Sequence, residues 1–197
     1  DKHMARIKIK QTRVGFPVFW TPRGFKDEAT GVESNPKFSG TFYLHKKKHV
    51  NDIKAVKAEM AAVHAASTIA KIKISPEKMA LREVPDDKID EEGLIKGTDM
   101  KAEDYMILTA SNSKAPPIVN KNPAQKIEEK DDIIYGGCYV NVSVSFWVQN
   151  NKFGKRINGS LESVQFFGDG DRFGRAPVNP EEEFENIEEE ENDDPSA

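Results

Sequence analysis

The residues best suited to chemistry in this sequence are large rings set beside cations. Tyr43 is followed closely by His45-Lys46-Lys47-Lys48-His49, the densest basic run in the chain. Tyr139 and Trp147 stand among Asn141, Ser143 and Ser145, and Lys152, Lys155 and Arg156 come soon after. A ring gives a flat face on which another planar group stacks, and a lysine or arginine neutralises an anion. Interleaved, the two suit a flexible polyanion that exposes planar groups, which is the chemistry of a single-stranded nucleic acid. A lysine run alone is most often a solvated surface. Its weight here comes from the ring beside it and from the charge of the chain around it.

Catalytic and metal chemistries find less support. There is no G-x-x-x-x-G-K-[ST] and no G-x-S-x-G. Gly168-Asp169-Gly170-Asp171 lacks the third glycine of a dinucleotide loop and the terminal Glu of a calcium loop, so it reads as a tight turn. His45, His49 and Cys138 do not make the four ligands of a zinc site, and a lone cysteine at a strand start reads as a small buried residue. The sequence therefore predicts no catalytic residue, no metal and no cofactor. Two rival readings stay open: a protein-interaction adaptor that works through an acidic tail, and a metal-dependent nuclease using Asp169 and Asp171.

Charge is divided unevenly. The chain holds 29 Lys and Arg against 33 Asp and Glu. Ten of those acids are Glu181, Glu182, Glu183, Glu185, Glu188, Glu189, Glu190, Glu191, Asp193 and Asp194, in a stretch with no base. The remaining 180 residues carry every Lys and Arg against 23 acids, a net charge of +6 beside a tail of -10. Such asymmetry points to a nucleic-acid partner for the body, or to a tail with a role of its own. From Pro177 onward few apolar residues occur, too few to offset the entropy of ordering, so disorder is expected there. Asp1-Lys2-His3 before Met4 reads as an expression remnant. That leaves 5–178 as the folded domain and 179–197 as the tail. No stretch approaches the ~20 apolar residues of a membrane span, so no membrane partner is expected.

The elements that must position these side chains are mostly strands. Residues 6–20 read as β, with Val14, Phe16, Val18 and Trp20 on one face and Arg13, Gly15, Pro17 and Phe19 on the other. Pro17 places an edge or a bulge there, because proline donates no ladder hydrogen bond. A loop rich in Gly, Pro, Asp and Asn follows, from Thr21 to Pro36. In residues 37–45, Phe38, Gly40, Phe42 and Leu44 share a face opposite Ser39, Thr41, Tyr43 and His45. One helix is predicted from about Asp52 to Lys73, with Ile53, Val56, Met60 and Val63 in an apolar stripe and Asn51 or Asp52 as cap. Residues 76–105 read as a charged excursion, Tyr105–Ala110 as a short strand, and Ser111–Asn122 as a loop. The strand 138–149 is the clearest, with Val140, Val142, Val144, Phe146 and Val148 facing a core. Another strand, Gly159–Phe167, follows. Short strands, one inserted helix and long loops fit a mainly β fold, the small Greek-key barrel called the OB-fold.

Longer runs of residues then carry a family likeness. Tyr135-Gly136-Gly137-Cys138-Tyr139-Val140-Asn141 resembles a signature of a single-stranded DNA-binding protein family of tailed phages, first catalogued as a phage domain of unknown function. So do Asn150 to Asn158, Leu161 to Phe167 with Asp169-Gly170, and the Lys114-Ala115-Pro116-Pro117 loop. The likeness is good over about 105–175 and looser over 5–50. It implies an OB-fold, sequence-non-specific binding of single-stranded DNA, a part in phage replication, recombination and repair, and no catalysis. It also implies action in the cytoplasm of an infected bacterium, which the single cysteine suits. In related phage proteins the tail ends in an aromatic residue, whereas the last ring here is Phe184. On this reading phosphates lie along Lys46, Lys47, Lys48, Lys152, Lys155 and Arg156, and bases stack on some of Tyr43, Tyr139 and Trp147. The tail competes with DNA or docks on replication and recombination proteins of phage or host, and the oligomeric state stays open, a homo-oligomer included.

Overall fold

A computed structural model describes residues 5–24, 26 and 28–174. Its strands are β1 (Ile7–Arg23), β2 (Lys37–His45), β3 (Leu81–Glu83), β4 (Tyr105–Asn112), β5 (Ile118–Val119), β6 (Tyr139–Asn151) and β7 (Gly154–Gly168), with the helix α1 (Val50–Ala65) between β2 and β3. β1 pairs antiparallel with β2 and β6, β2 with β4, and β6 with β7. A parallel pairing of β4 with β7, Ala110 opposite Gly159, closes the circle. The result is a five-stranded barrel in the order β1-β2-β4-β7-β6, the OB arrangement, with β3 and β5 as short additions.

Period-two patterning fills the barrel. Val140, Val142, Val144 and Phe146 of β6 meet Phe42 and Leu44 of β2, Leu108 of β4, and Ile157, Leu161 and Val164 of β7 in one core. α1 adds Ile53, Val56 and Met60 to it. The helix ends at Ala65, well before Lys73, because Ser67 donates its hydroxyl hydrogen bond back to the His64 carbonyl and starts a turn. The chain beyond still reaches the core through Ile69 and Ile74. Neither Asn51 nor Asp52 caps α1; His49 occupies that position and makes no side-chain cap bond. His49 Nδ1 accepts from the His45 N–H and so leaves Nε2 to donate to the Lys10 carbonyl, tying the β2–α1 turn to β1.

β1 departs from simple alternation. Phe16 sits at φ 49, and the pairing with β2 slips between Gly15 and Val18. This bulge, which Pro17 accommodates by having no N–H to place, reverses the inside and outside positions. Phe19 is therefore the buried ring and Phe16 is 77% exposed, the opposite of what an unbroken period of two predicts.

Candidate nucleic-acid interface

The outer face of β3, β4, β2 and β1 is ordered in rows fixed by register. One row runs Arg82, Ile107, Tyr43, Arg13. The next runs Thr109, Thr41, Gly15, and the third Ser111, Ser39, Val18. The first row is roofed by the excursion between α1 and β4, whose Val84, Ile95, Met100 and Ala102 pack on Tyr43 and Ile107 as a second apolar cluster. The other two rows are small and uncovered. They floor a groove of about 840 Å³. Phe16 and Arg23 of β1 stand on one side, and Arg82, Val84 and Lys88 of the excursion with Arg156 and Asn158 of β7 stand on the other. Arg23, Lys78, Arg82, Lys88, Lys96 and Arg156 line it against only Glu77 and Asp87. Four net positive charges in a concave site raise the local potential for an anionic chain.

Of the side chains proposed from sequence, Tyr43 and Arg156 line this groove. Tyr43 is only 4% exposed; its hydroxyl fits against Gly15, where any Cβ would collide with it, and burial pushes the phenol up against the pull of Arg13. Its ring is therefore floor rather than a shelf for a base. Trp147 lies half-buried one strand beyond the groove, opposite Asn158. Tyr139 is half-buried beside the Arg13 guanidinium, 5.8 Å from its ring, with Gly170 leaving room for the ring edge. Lys46, Lys47 and Lys48 sit in the turn after β2, outside the groove lining, and Lys46 pairs with Glu83 at 2.8 Å. Lys152 and Lys155 flank the β6–β7 turn, adjoining the groove through Arg156. The ten acids of the tail lie outside the described residues.

Phe16 and Phe153, neither of them among the rings proposed from sequence, are the two most exposed aromatic side chains of the described residues, ahead of Phe167 at 42%. Phe16 stands at the groove rim. Phe153 tips the β6–β7 turn at 68% exposure, with Lys152 Nζ 5.1 Å from its ring. The signal for Phe153 was present, since a phenylalanine in an Asn-Lys-Phe-Gly turn has nothing to pack on. Phe16 had no such signal, because its outward turn depends on the bulge.

Below the groove, Arg13 organises the first row. Its guanidinium donates to the Gly137 carbonyl at 3.1 Å, the Asp99 carboxylate at 2.8 Å and the Asp171 carbonyl at 2.6 Å. Phe173 lies over it at 4.5 Å and meets Tyr43 edge-on at 5.6 Å. The Gly174 N–H donates to the Gly97 carbonyl at 2.9 Å, beside the groove residue Lys96. The segment after β7 is thus held against the excursion.

Fold and groove together define an OB-fold protein with a basic, aromatic-rimmed channel across adjacent barrel strands. A family model described as Enterobacter phage Enc34, ssDNA-binding protein, matches residues 5–195, and the chain belongs to that family. It is similar to the single-stranded DNA-binding protein from bacteriophage Enc34 in complex with ssDNA, at 26% identity and a TM-score of 0.70 over 86% of this chain and 89% of that one. A C-terminal truncation of the Enc34 protein is similar at 26% identity and a TM-score of 0.69, over 85% of this chain and 88% of that one. "Putative protein p50" of Acyrthosiphon pisum secondary endosymbiont phage 1 is 28% identical over 92% of this chain and 94% of its own length.

Proposed function

We propose that this protein binds single-stranded DNA without sequence preference, along the groove over β1, β2 and β4, and covers it during phage replication, recombination and repair in the cytoplasm of the infected bacterium. The observation that carries the reading is the groove itself: a floor of hydroxyl-bearing and small residues, an exposed ring at its rim, and six cations against two acids. A small floor admits bases of any identity, and cations track phosphates irrespective of sequence. Membership in a family described by its ssDNA-binding member supports the same ligand. The role is binding rather than catalysis, and the acidic tail either competes with DNA for the groove or recruits basic partners.

Fluorescence anisotropy with labelled oligo-dT and a matched duplex, across a salt series with and without Mg²⁺, tests this. The expected result is intact oligo-dT bound without metal, in preference to duplex, with affinity falling as salt rises. Absence of binding favours the adaptor, and metal-dependent loss of the oligonucleotide favours a nuclease.

A further inference from the structure

Arg82 and Arg156 stand together at one wall of the groove without a carboxylate partner within ion-pair distance among the described residues. The three hydrogen bonds that Arg82 makes there all leave from Nη1, to the Met79 and Ala80 carbonyls and to Thr109 Oγ1 at 3.0 Å. They fix the plane of the guanidinium and leave Nη2 and Nε uncommitted among those residues. Burial and the nearby Arg156 charge both push the Arg82 guanidinium down from its usual range, so its surroundings disfavour the cation that it nevertheless carries. A fork held in place, half-buried and next to a like charge is relieved by an anion, and a phosphodiester suits its planar donors.

Register sets the opposite wall. β3 and β7 both flank β4 on the side away from β2, and Phe16 stands on β1, beyond β2. Three strand spacings, about 14 Å, separate the two sides. Between them lie Thr41, Thr109, Ser39 and Ser111, too small to obstruct a base.

We infer that Arg82 and Arg156 form a phosphate seat, so that the DNA backbone runs along the β3–β7 wall and its bases cross the floor toward Phe16. This rests on the single-strand reading above and adds a direction to it. Lys78, exposed on the same wall, adds charge to the seat; its neighbour Glu77 also lines the groove, while Glu83, next to Arg82, pairs with Lys46.

The test uses the full chain and two probes of about 16 nucleotides: oligo-dT and an abasic deoxyribose-phosphate oligomer, which keeps the phosphates and lacks the bases. R82Q and R156Q should each lower the slope of log affinity against log salt by about 0.7, the release expected for one single-strand phosphate, and should do so for both probes. R156Q keeps the test valid if R82Q disturbs β3, since the Arg156 side chain is exposed. F16A should weaken oligo-dT by about 5- to 150-fold and narrow the gap between the two probes. If wild type binds oligo-dT and neither arginine variant changes the slope, the seat is wrong and the single-strand reading stands. If F16A weakens the abasic oligomer as much as oligo-dT, the orientation is wrong. If wild type binds neither probe, the reading and the seat fall together.

Discussion

At the scale of single residues, Phe16 joins strain to exposure. A non-glycine residue at φ 49 is disfavoured by roughly 1–2 kcal/mol, and a ring left 77% in water gains little from burial. Nothing in the folding of the barrel requires a phenylalanine there. F16G should therefore leave stability unchanged or raise it by up to about 1 kcal/mol, as glycine relieves the backbone and gives part of the gain back as chain entropy. The same variant should lose about 1–3 kcal/mol of single-strand affinity. Thermal melts and anisotropy on one sample check both signs. A marked fall in the melting temperature would make Phe16 a structural residue instead. Asp99 gives a second prediction. The hydrogen bond from Arg13 holds its carboxyl below the usual range, so its contribution to stability is present above about pH 4 and is lost as pH falls through the lower folded value. Because the Asp99 side chain is 64% exposed, the effect is at most about 1 kcal/mol. D99N should flatten the acid side of the melting temperature against pH by that small amount, and a profile that matches wild type would show the pair to be inert.

At the scale of elements, legibility followed the periodicity of the strands. β2 and β6 are readable because every second residue of Phe38–Leu44 and Val140–Val148 is apolar or glycine, and Phe42, Leu44, Val140, Val142, Val144 and Phe146 among them share one core with Val148 packed against it. The helix was readable through Ile53, Val56 and Met60, but not its end, because a serine hydroxyl bonding to the chain leaves no mark in apolar spacing. β3 and β5 are two or three residues long and owe their form to neighbours, β4 and β7, that are distant in sequence. The same reason hid half of the site. Tyr43 reads as an outward ring, and it does point outward, yet Val84, Ile95 and Met100 of the excursion roof it over. The roof is held by Arg13 and by the turn at Gly137, where φ is 111 and a side chain would run into the Asp171 carbonyl that Arg13 grips. G137A should cost roughly 1–3 kcal/mol or more, and should release residues 171–174 from the excursion while leaving the β6–β7 pairing formed. Hydrogen exchange reads this directly: faster exchange at the Phe173 and Gly174 amides with β6 still protected. If β6 lost protection to the same degree, the segment would belong to the barrel's own folding unit rather than to a latch upon it.

At the scale of the whole molecule, the body of +6 and the tail of -10 are joined at a particular place. Gly174, which precedes the acidic stretch in sequence, donates its N–H to the Gly97 carbonyl next to the groove residue Lys96. The 23 residues beyond it span up to about 80 Å when extended, ample to reach every cation of the groove. A tethered polyanion at this position has an effective concentration near millimolar, and its attraction to the groove is screened by the same salt that screens DNA. Removal of residues 180–197 should therefore tighten oligo-dT binding on the order of tenfold at low salt, and should steepen the salt dependence, because phosphates would no longer displace an internal competitor. The gain should vanish as ionic strength rises past the range where the tail is already released. The acidic peptide added in trans to the truncated chain should take back part of that gain, at far higher concentration. Equal binding by the truncated and full chains at low salt would remove competition from the account and leave the tail to partner recruitment, with the groove reading untouched.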